Sequence, residues 1–282
     1  MLKLGETQTL KIAKRSDYGL YLIPPDQPEE ISPEEQVLLP NKYVPENAKP
    51  GELLSVFLYK DSSDRLVATT LQPKITLHQT AVLTVKSVGK IGAFLDSGLE
   101  KDFLLPYAEQ TNRVKEGEDC LVALYIDKSN RLCLTMKVYP YLRTDSGYKK
   151  DDDVTGRVYE TSGNFGAFVA VDDCYSALIS KQELFQDITA GSKVHARVTE
   201  VREDGKLTLS IRQKAYLQMD EDAERLMELI ESYDGVLPFS DKASPEIIRR
   251  EAGMSKNEFK RAVGRLYKQR RIEIGEKSIR KV

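Results

Sequence analysis

"GNFGAFVAV", residues 163–171, repeats a pattern that this chain writes three times. "KIGAFLDSG", 90–98, has the same Gly-Ala-Phe at Gly92, and "DYGLYLIPP", 17–25, is a looser copy with Tyr21 two residues after Gly19. The anchors Gly19, Gly92 and Gly166 recur at almost equal intervals. Further matches follow each anchor in the same order. "VLLP", "FLLP" and "ALIS" end at Pro40, Pro106 and Ser180; then come "KPGELLSVFL", "KEGEDCLVAL" and "TAGSKVHARV"; "RLVATT", "RLCLTMK" and "KLTLSIR" close the units. Ordered matches at near-fixed spacing mark tandem copies of one folded unit. The steps Gly92 to Gly117 and Gly166 to Gly191 are equal, whereas Gly19 to Gly51 is longer, and its surplus falls in the Pro/Glu-rich "PPDQPEEISPEE".

Each unit reads as five short strands. In the second, "AVLTVKSV", "IGAFLD", "DFLL", "DCLVALYI" and "RLCLTMK" are β-branched and aromatic runs broken by Gly, Asp and Asn, the pattern of strands and turns. Five strands in so short a unit are too few for a sandwich and enough for a small closed barrel, which removes edge strands. A glycine in the second strand suits a tight bend. The expected fold is mainly β, with barrels over 1–71, 76–140 and 151–212. "TDSGYKKDDD", 144–153, reads as a hydrophilic linker setting the first two barrels apart from the rest.

After Arg212 the grammar turns helical. Tyr216, Met219, Ala223, Leu226, Ile230 and Tyr233 step by three or four and predict one apolar stripe. Ser244 and Pro245 start a short helix that Gly253 ends, and Ser255 with Glu258 makes a capping box for the next. "RRIEIGEKSIRKV" predicts a terminal hairpin turning at Gly275. Helix, helix-turn-helix and hairpin is the winged-helix order, giving a small α+β domain over 215–282. Lys256, Lys260, Arg261, Arg265 and Lys268 form a cationic band on its second short helix, with Arg270, Arg271, Lys277, Arg280 and Lys281 around the wing.

"NFGAFVAV", "ALIS", "KVHARVTEV" and "KLTLSIR" resemble the RNA-binding OB repeat of the largest small-subunit ribosomal protein, the S-one type. Three such units followed by a basic helical tail resemble, over the whole chain, the conserved virulence factor B proteins of Firmicutes. The resemblance implies RNA-binding regulators of gene expression, whose barrel aromatics lie on the outer sheet face where unpaired bases stack. By motif position those aromatics are Tyr18 and Tyr21 in the first unit, Phe94 in the second, and Phe165 and Phe168 in the third. Ile91 takes the other aromatic's place in the second unit, so that barrel is expected to contribute less or to act as a spacer. Where many family copies carry histidine, this chain has Pro40, Pro106 and Ser180.

Charge bears on the same question. Residues 244–282 hold 12 Lys/Arg and 5 Asp/Glu, a balance of +7, whereas residues 1–243 balance at −9. A basic module therefore follows an acidic body. No barrel carries a positive balance, so phosphate contacts there must come from local cations: Lys14 and Arg15, or Arg157 and Arg212. The three cysteines form no CxxC pair, which argues against a disulfide framework or zinc knuckle. No apolar run is long enough to span a membrane, and the N-terminus lacks a signal-peptide pattern, so a cytoplasmic protein is expected. There is no GxxxxGK[ST], HExxH or nucleophile elbow, and neither catalysis, metal nor cofactor is expected. The partner implied is RNA, preferably single-stranded, without membrane or obligate protein partner. The alternative is a DNA-binding transcriptional regulator using Asn257, Lys260, Arg261 and Arg265 on base edges.

Overall fold

The computed structural model describes residues 2–26, 35–184, 188–211 and 215–282, with backbone alone for 215–221. Most of the Pro/Glu-rich insertion, Arg212, and the side chains of Tyr216 and Met219 lie outside the described residues. The chain divides into two compact units, 1–211 and 212–282.

The first unit holds three closed five-stranded barrels. Barrel one comprises β1 (Thr7–Ser16), β2 (Gly19–Ile23), β3 (Val37–Pro40), β4 (Leu53–Lys60) and β5 (Leu66–Thr69). Barrel two comprises β6 (Thr80–Val88), β7 (Gly92–Leu95), β8 (Phe103–Pro106), β9 (Asp119–Ile126) and β10 (Leu132–Thr135). Barrel three comprises β11 (Asp153–Ser162), β12 (Gly166–Val171), β13 (Tyr175–Ser180), β14 (Lys193–Val201) and β15 (Leu207–Ser210). In each, the third and fifth strands pair in parallel and every other neighbour is antiparallel.

The repeated glycine opens the second strand because nothing larger fits. A Cβ on Gly19, Gly92 or Gly166 would come within 2.0, 2.2 or 2.1 Å of the carbonyl oxygen of Leu39, Leu105 or Ile179 on the neighbouring strand. Bare backbone is what lets the two strands cross this closely. The first strand of every barrel also carries a bulge, at Ala13, Lys86 and Tyr159, where the register slips by one residue. Such bulges increase the local twist that closing five strands requires.

Strands β4 and β9 are apolar on both faces. In β4, Val56 and Leu58 point into barrel one, whereas Phe57 and Tyr59 join the core of barrel two. In β9, Cys120, Val122 and Leu124 fill barrel two, whereas Leu121 and Ala123 meet Val138, Leu142, Tyr159 and Ala170. The three barrels are thus welded side by side through the outer faces of these strands. Complete burial of a side chain such as Val138 stabilises the joint by roughly 1.5–3 kcal/mol.

The expected linker at 144–153 is docked rather than free. The Arg143 backbone N–H donates to the Cys174 carbonyl (2.8 Å), and the Arg143 carbonyl accepts from Ser176 (2.9 Å), extending the sheet beside β13. A Cβ on Gly205 would lie 2.2 Å from the Thr144 carbonyl oxygen. The Tyr148 ring packs on the barrel-three core while its hydroxyl donates to Asp172 (2.6 Å). Composition alone missed this, because one tyrosine and backbone pairing anchor a segment whose remaining side chains are mostly polar.

The second unit runs α1 (Ala215–Ser232), β16 (Val236–Leu237), α2 (Pro245–Ala252), α3 (Lys256–Lys268), β17 (Ile272–Ile274) and β18 (Ile279–Lys281). Its sheet order is β16-β18-β17, so a short strand before α2 joins the expected hairpin. The Ser244 side chain caps α2, Gly253 ends it in the left-handed conformation, and both hydrogen bonds of the Ser255–Glu258 box form at the start of α3. Ala223, Leu226, Ile230, Phe259, Val263 and Leu266 meet Ile272 and Ile279 in one core. Tyr233, expected on the inward stripe, lies just beyond α1, is 37% exposed and donates its hydroxyl to Glu251 (3.0 Å). Among the described residues no helix is long and apolar enough to cross a membrane.

Candidate nucleic-acid interface

One backbone hydrogen bond makes the three barrel faces comparable residue by residue. The N–H after the third strand donates to the carbonyl just before the anchor glycine: Asn41 to Tyr18 (3.1 Å), Tyr107 to Ile91 (3.3 Å) and Lys181 to Phe165 (3.0 Å). Three positions therefore recur around one turn. The first is Tyr18, Ile91 or Phe165, the second Tyr21, Phe94 or Phe168, and the third Asn41, Tyr107 or Lys181.

At the first position the side chains stand out in solvent, with Tyr18 at 74%, Ile91 at 61% and Phe165 at 64% exposure. At the second they are half-buried on the outer sheet face. Their strand neighbours, Leu20 and Leu22, Ala93 and Leu95, and Ala167 and Val169, fill the barrels. The five aromatics expected to stack on bases are thus all on the outside. Backbone geometry resolves the odd interval between them: the first ring belongs to the turn before the glycine and the second to the strand after it.

Barrel one places the Lys14 ammonium 5.1 Å from the centre of the Tyr21 ring. Neither Lys14 nor its exposed neighbour Arg15 has a carboxylate partner among the described residues. In barrel three the Phe165 and Phe168 rings are 6.5 Å apart with planes at 56°, and Phe168 leans on Tyr159 at 6.2 Å. Phe168 therefore has two duties, since Tyr159 belongs to the joint with barrel two.

Arg157 is a correction. It is 8% exposed, its Nε lies 3.3 Å from Asp173 Oδ1, and it lines a cleft between barrels two and three with Asn112, Cys120 and Tyr159. Paired and enclosed, it is part of the joint and not a surface contact for phosphate. Burial, aided by Glu118 and Asp119, pushes the Cys120 thiol up to about 11. Burial and the nearby Asp127 push Cys133 up to about 11 as well. Arg212 lies outside the described residues.

On the winged helix, Lys260, Arg261 and Lys268 are exposed along α3 and make no ion pair among the described residues. Lys256 and Arg265 are half-buried, and Arg265 has other interactions. The only acid of α3, Glu258, is held below the usual carboxylate range by its hydrogen bond from Ser255 in the capping box. Ionised, it turns an oxygen to the Ser255 N–H and forms no ion pair with the band among the described residues, although its charge acts on Arg261. Tyr267, 57% exposed, shares the outer surface. Gly264, also on α3, has nothing within 4 Å of where its Cβ would be. Arg271 is engaged rather than free: both ends of its guanidinium donate to Glu224, whose carboxyl that pairing lowers.

Tyr107 and Tyr267 were missed by motif matching. Tyr107 could have been found by extending the repeat alignment one residue past Pro106.

Comparison with known proteins agrees with this architecture. Residues 4–71 and 79–137 match the S1 domain family, 141–213 match the second domain of the virulence regulatory factor CvfB, and 224–280 match the CvfB-like winged helix domain. The chain is thus composed of nucleic-acid-binding kinds of domain. The match beginning at 141 takes in the docked segment ahead of barrel three. The YitL protein of Bacillus subtilis is 31% identical, covering 96% of this chain and 91% of its own. Conserved virulence factor B of Staphylococcus saprophyticus is 32% identical, covering 79% of this chain and 78% of its own. A multidomain protein with nucleic acid binding domains from Streptococcus pneumoniae aligns over 99% of this chain and 98% of its own, with 23% identity and a TM-score of 0.49. With matching domains in order along the chain, and relatives of this identity over most of its length, the chain belongs to the conserved virulence factor B family.

Proposed function

We propose that this protein is a non-catalytic, cytoplasmic RNA-binding regulator of gene expression, acting after transcription and reaching virulence factors among its targets. Barrels one and three stack unpaired bases on Tyr18 with Tyr21 and on Phe165 with Phe168. The unpaired cations of α3 attract phosphate. The observation that carries the reading is the pair of outward aromatics at the same turn in barrels one and three. A flat ring that projects into water suits any base, and each stack contributes roughly 1–3 kcal/mol. No barrel carries a positive charge balance along its sequence, which favours stacking over charge as the main contribution of the barrels.

The α3 surface favours a second reading, since Asn257, Lys260 and Arg261 are exposed at the start of a helix of the kind that enters a major groove. Competition binding separates the two. With a labelled single-stranded RNA bound to the full chain, unlabelled single-stranded RNA is expected to displace it far more effectively than duplex DNA of equal length. Displacement by duplex DNA at equal or lower concentration overturns the RNA reading in favour of the DNA one.

A further inference from the structure

Barrel two departs from its neighbours at Ile91, and the structure supplies a substitute ring on the residue whose backbone N–H donates to the Ile91 carbonyl. We propose that barrel two is itself a base-binding barrel, in which Tyr107, capped by Arg113, replaces the aromatic missing at position 91. This inference rests on the proposed RNA-binding reading and adds a third contact site to it.

The geometry comes from a single turn. Tyr107 donates its backbone N–H to the Ile91 carbonyl, and its hydroxyl donates to the Gly89 carbonyl at 2.7 Å. The ring is therefore fastened along the same β6–β7 turn that presents Tyr18 and Phe165 in the other barrels. Phe94 reaches the same turn: its Cε2 lies 3.4 Å from where a Gly89 Cβ would stand. Phe94 and Tyr107 thus both meet Gly89, so two rings approach this turn as they do in barrels one and three. The residues equivalent to Tyr107 are Asn41 and Lys181, so the ring appears at the third position in the one barrel that lacks it at the first.

The Arg113 guanidinium lies 4.3 Å from the centre of the Tyr107 ring. Arg113 is exposed and has no carboxylate partner among the described residues. A guanidinium plane stacked on tyrosine offers its free face to a base and its N–H groups to a phosphate. Ile91 and Val88, at 61% and 45% exposure, extend the apolar surface beside it. The occupant these groups fit is an unpaired base of a single strand with its phosphate.

The test uses the full chain, a 4-thiouridine-containing oligouridylate for crosslinking, and a fluorescein-labelled copy for affinity. Crosslinked peptides from barrel two, around Phe94 and Tyr107, are expected alongside those from barrels one and three. Arg113→Ala, at an exposed site, and Tyr107→Ala are each expected to weaken binding by roughly fivefold or more and to remove the barrel-two crosslinks alone. Ile91→Phe in the Tyr107→Ala background moves the ring back to the first position, and is expected to restore both affinity and crosslinks. Crosslinks confined to barrels one and three, with affinity unchanged in Arg113→Ala and Tyr107→Ala, overturn this inference and leave the RNA-binding reading standing. Absence of crosslinks to every barrel overturns both.

Discussion

Replacing Phe165 with alanine isolates the stacking contribution of barrel three. The ring is 64% exposed and its one aromatic neighbour among the described residues, Phe168, is 6.5 Å away. Losing that aromatic pair costs at most about 0.5–1.5 kcal/mol of stability. Losing one stacked base costs roughly 1–3 kcal/mol of binding, which is about 5- to 150-fold in Kd. Fluorescence anisotropy with a labelled oligouridylate at several salt concentrations measures this directly. Affinity is expected to fall by that factor, while the slope of log affinity against log salt stays unchanged because the ring carries no charge. Phe168→Ala is expected to behave differently. That ring leans on Tyr159 in the joint between barrels, so its loss lowers thermal stability together with affinity. Wild-type affinity in a folded Phe165→Ala protein would refute the reasoning, because among the described residues no other ring in barrel three projects from that turn.

Lys260→Ala and Arg261→Ala are expected to weaken binding uniformly across RNA sequences and to lower the salt slope by about 0.7 per lost single-strand contact; Arg271→Ala, whose charge is already engaged by Glu224, is expected to leave that slope unchanged. Gly166→Ala is expected to unfold barrel three, costing more than about 4 kcal/mol, since its methyl would lie 2.1 Å from the Ile179 carbonyl oxygen. Gly264→Ala, mid-helix with open space around it, is expected to stabilise the winged helix by about 0.5–1 kcal/mol in thermal denaturation. Cys120 and Cys133, with thiols at about 11, are expected to resist a thiol-specific disulfide reagent at pH 8 until the protein is denatured. Because folding holds both thiols above their ordinary value of 9.0, the stability they contribute is intact below pH 9 and declines as pH rises toward 11.

The barrels were legible because repetition and close approach leave the same mark three times. Gly19, Gly92 and Gly166 recur where a Cβ would strike a neighbouring carbonyl, and the flanking aromatics recur because they share that turn. The caps of α2 and α3 were legible for a similar reason, each being a contact between residues at most three apart. The fusion of the barrels left a weaker sign: "SVFLYK" and "DCLVALYI" are apolar at consecutive positions, which fits a strand buried on both faces. The docked segment around Tyr148 gave almost none, because its anchors are backbone hydrogen bonds and a single ring in a polar stretch.

Local chemistry, written in the order of residues, therefore determined the repeated barrel, the winged helix and the turn that displays aromatic rings. Which charges remain available was decided only in three dimensions. Arg157 and Arg271 look like their neighbours in the chain, yet Asp173 and Glu224, both remote in sequence, occupy them. Tyr107 is separated from Ile91 by the whole of β7 and β8 and becomes its neighbour only when those strands pair. A one-dimensional pattern records the type and spacing of side chains, whereas neutralisation and stacking depend on distances that exist only after the strands have paired.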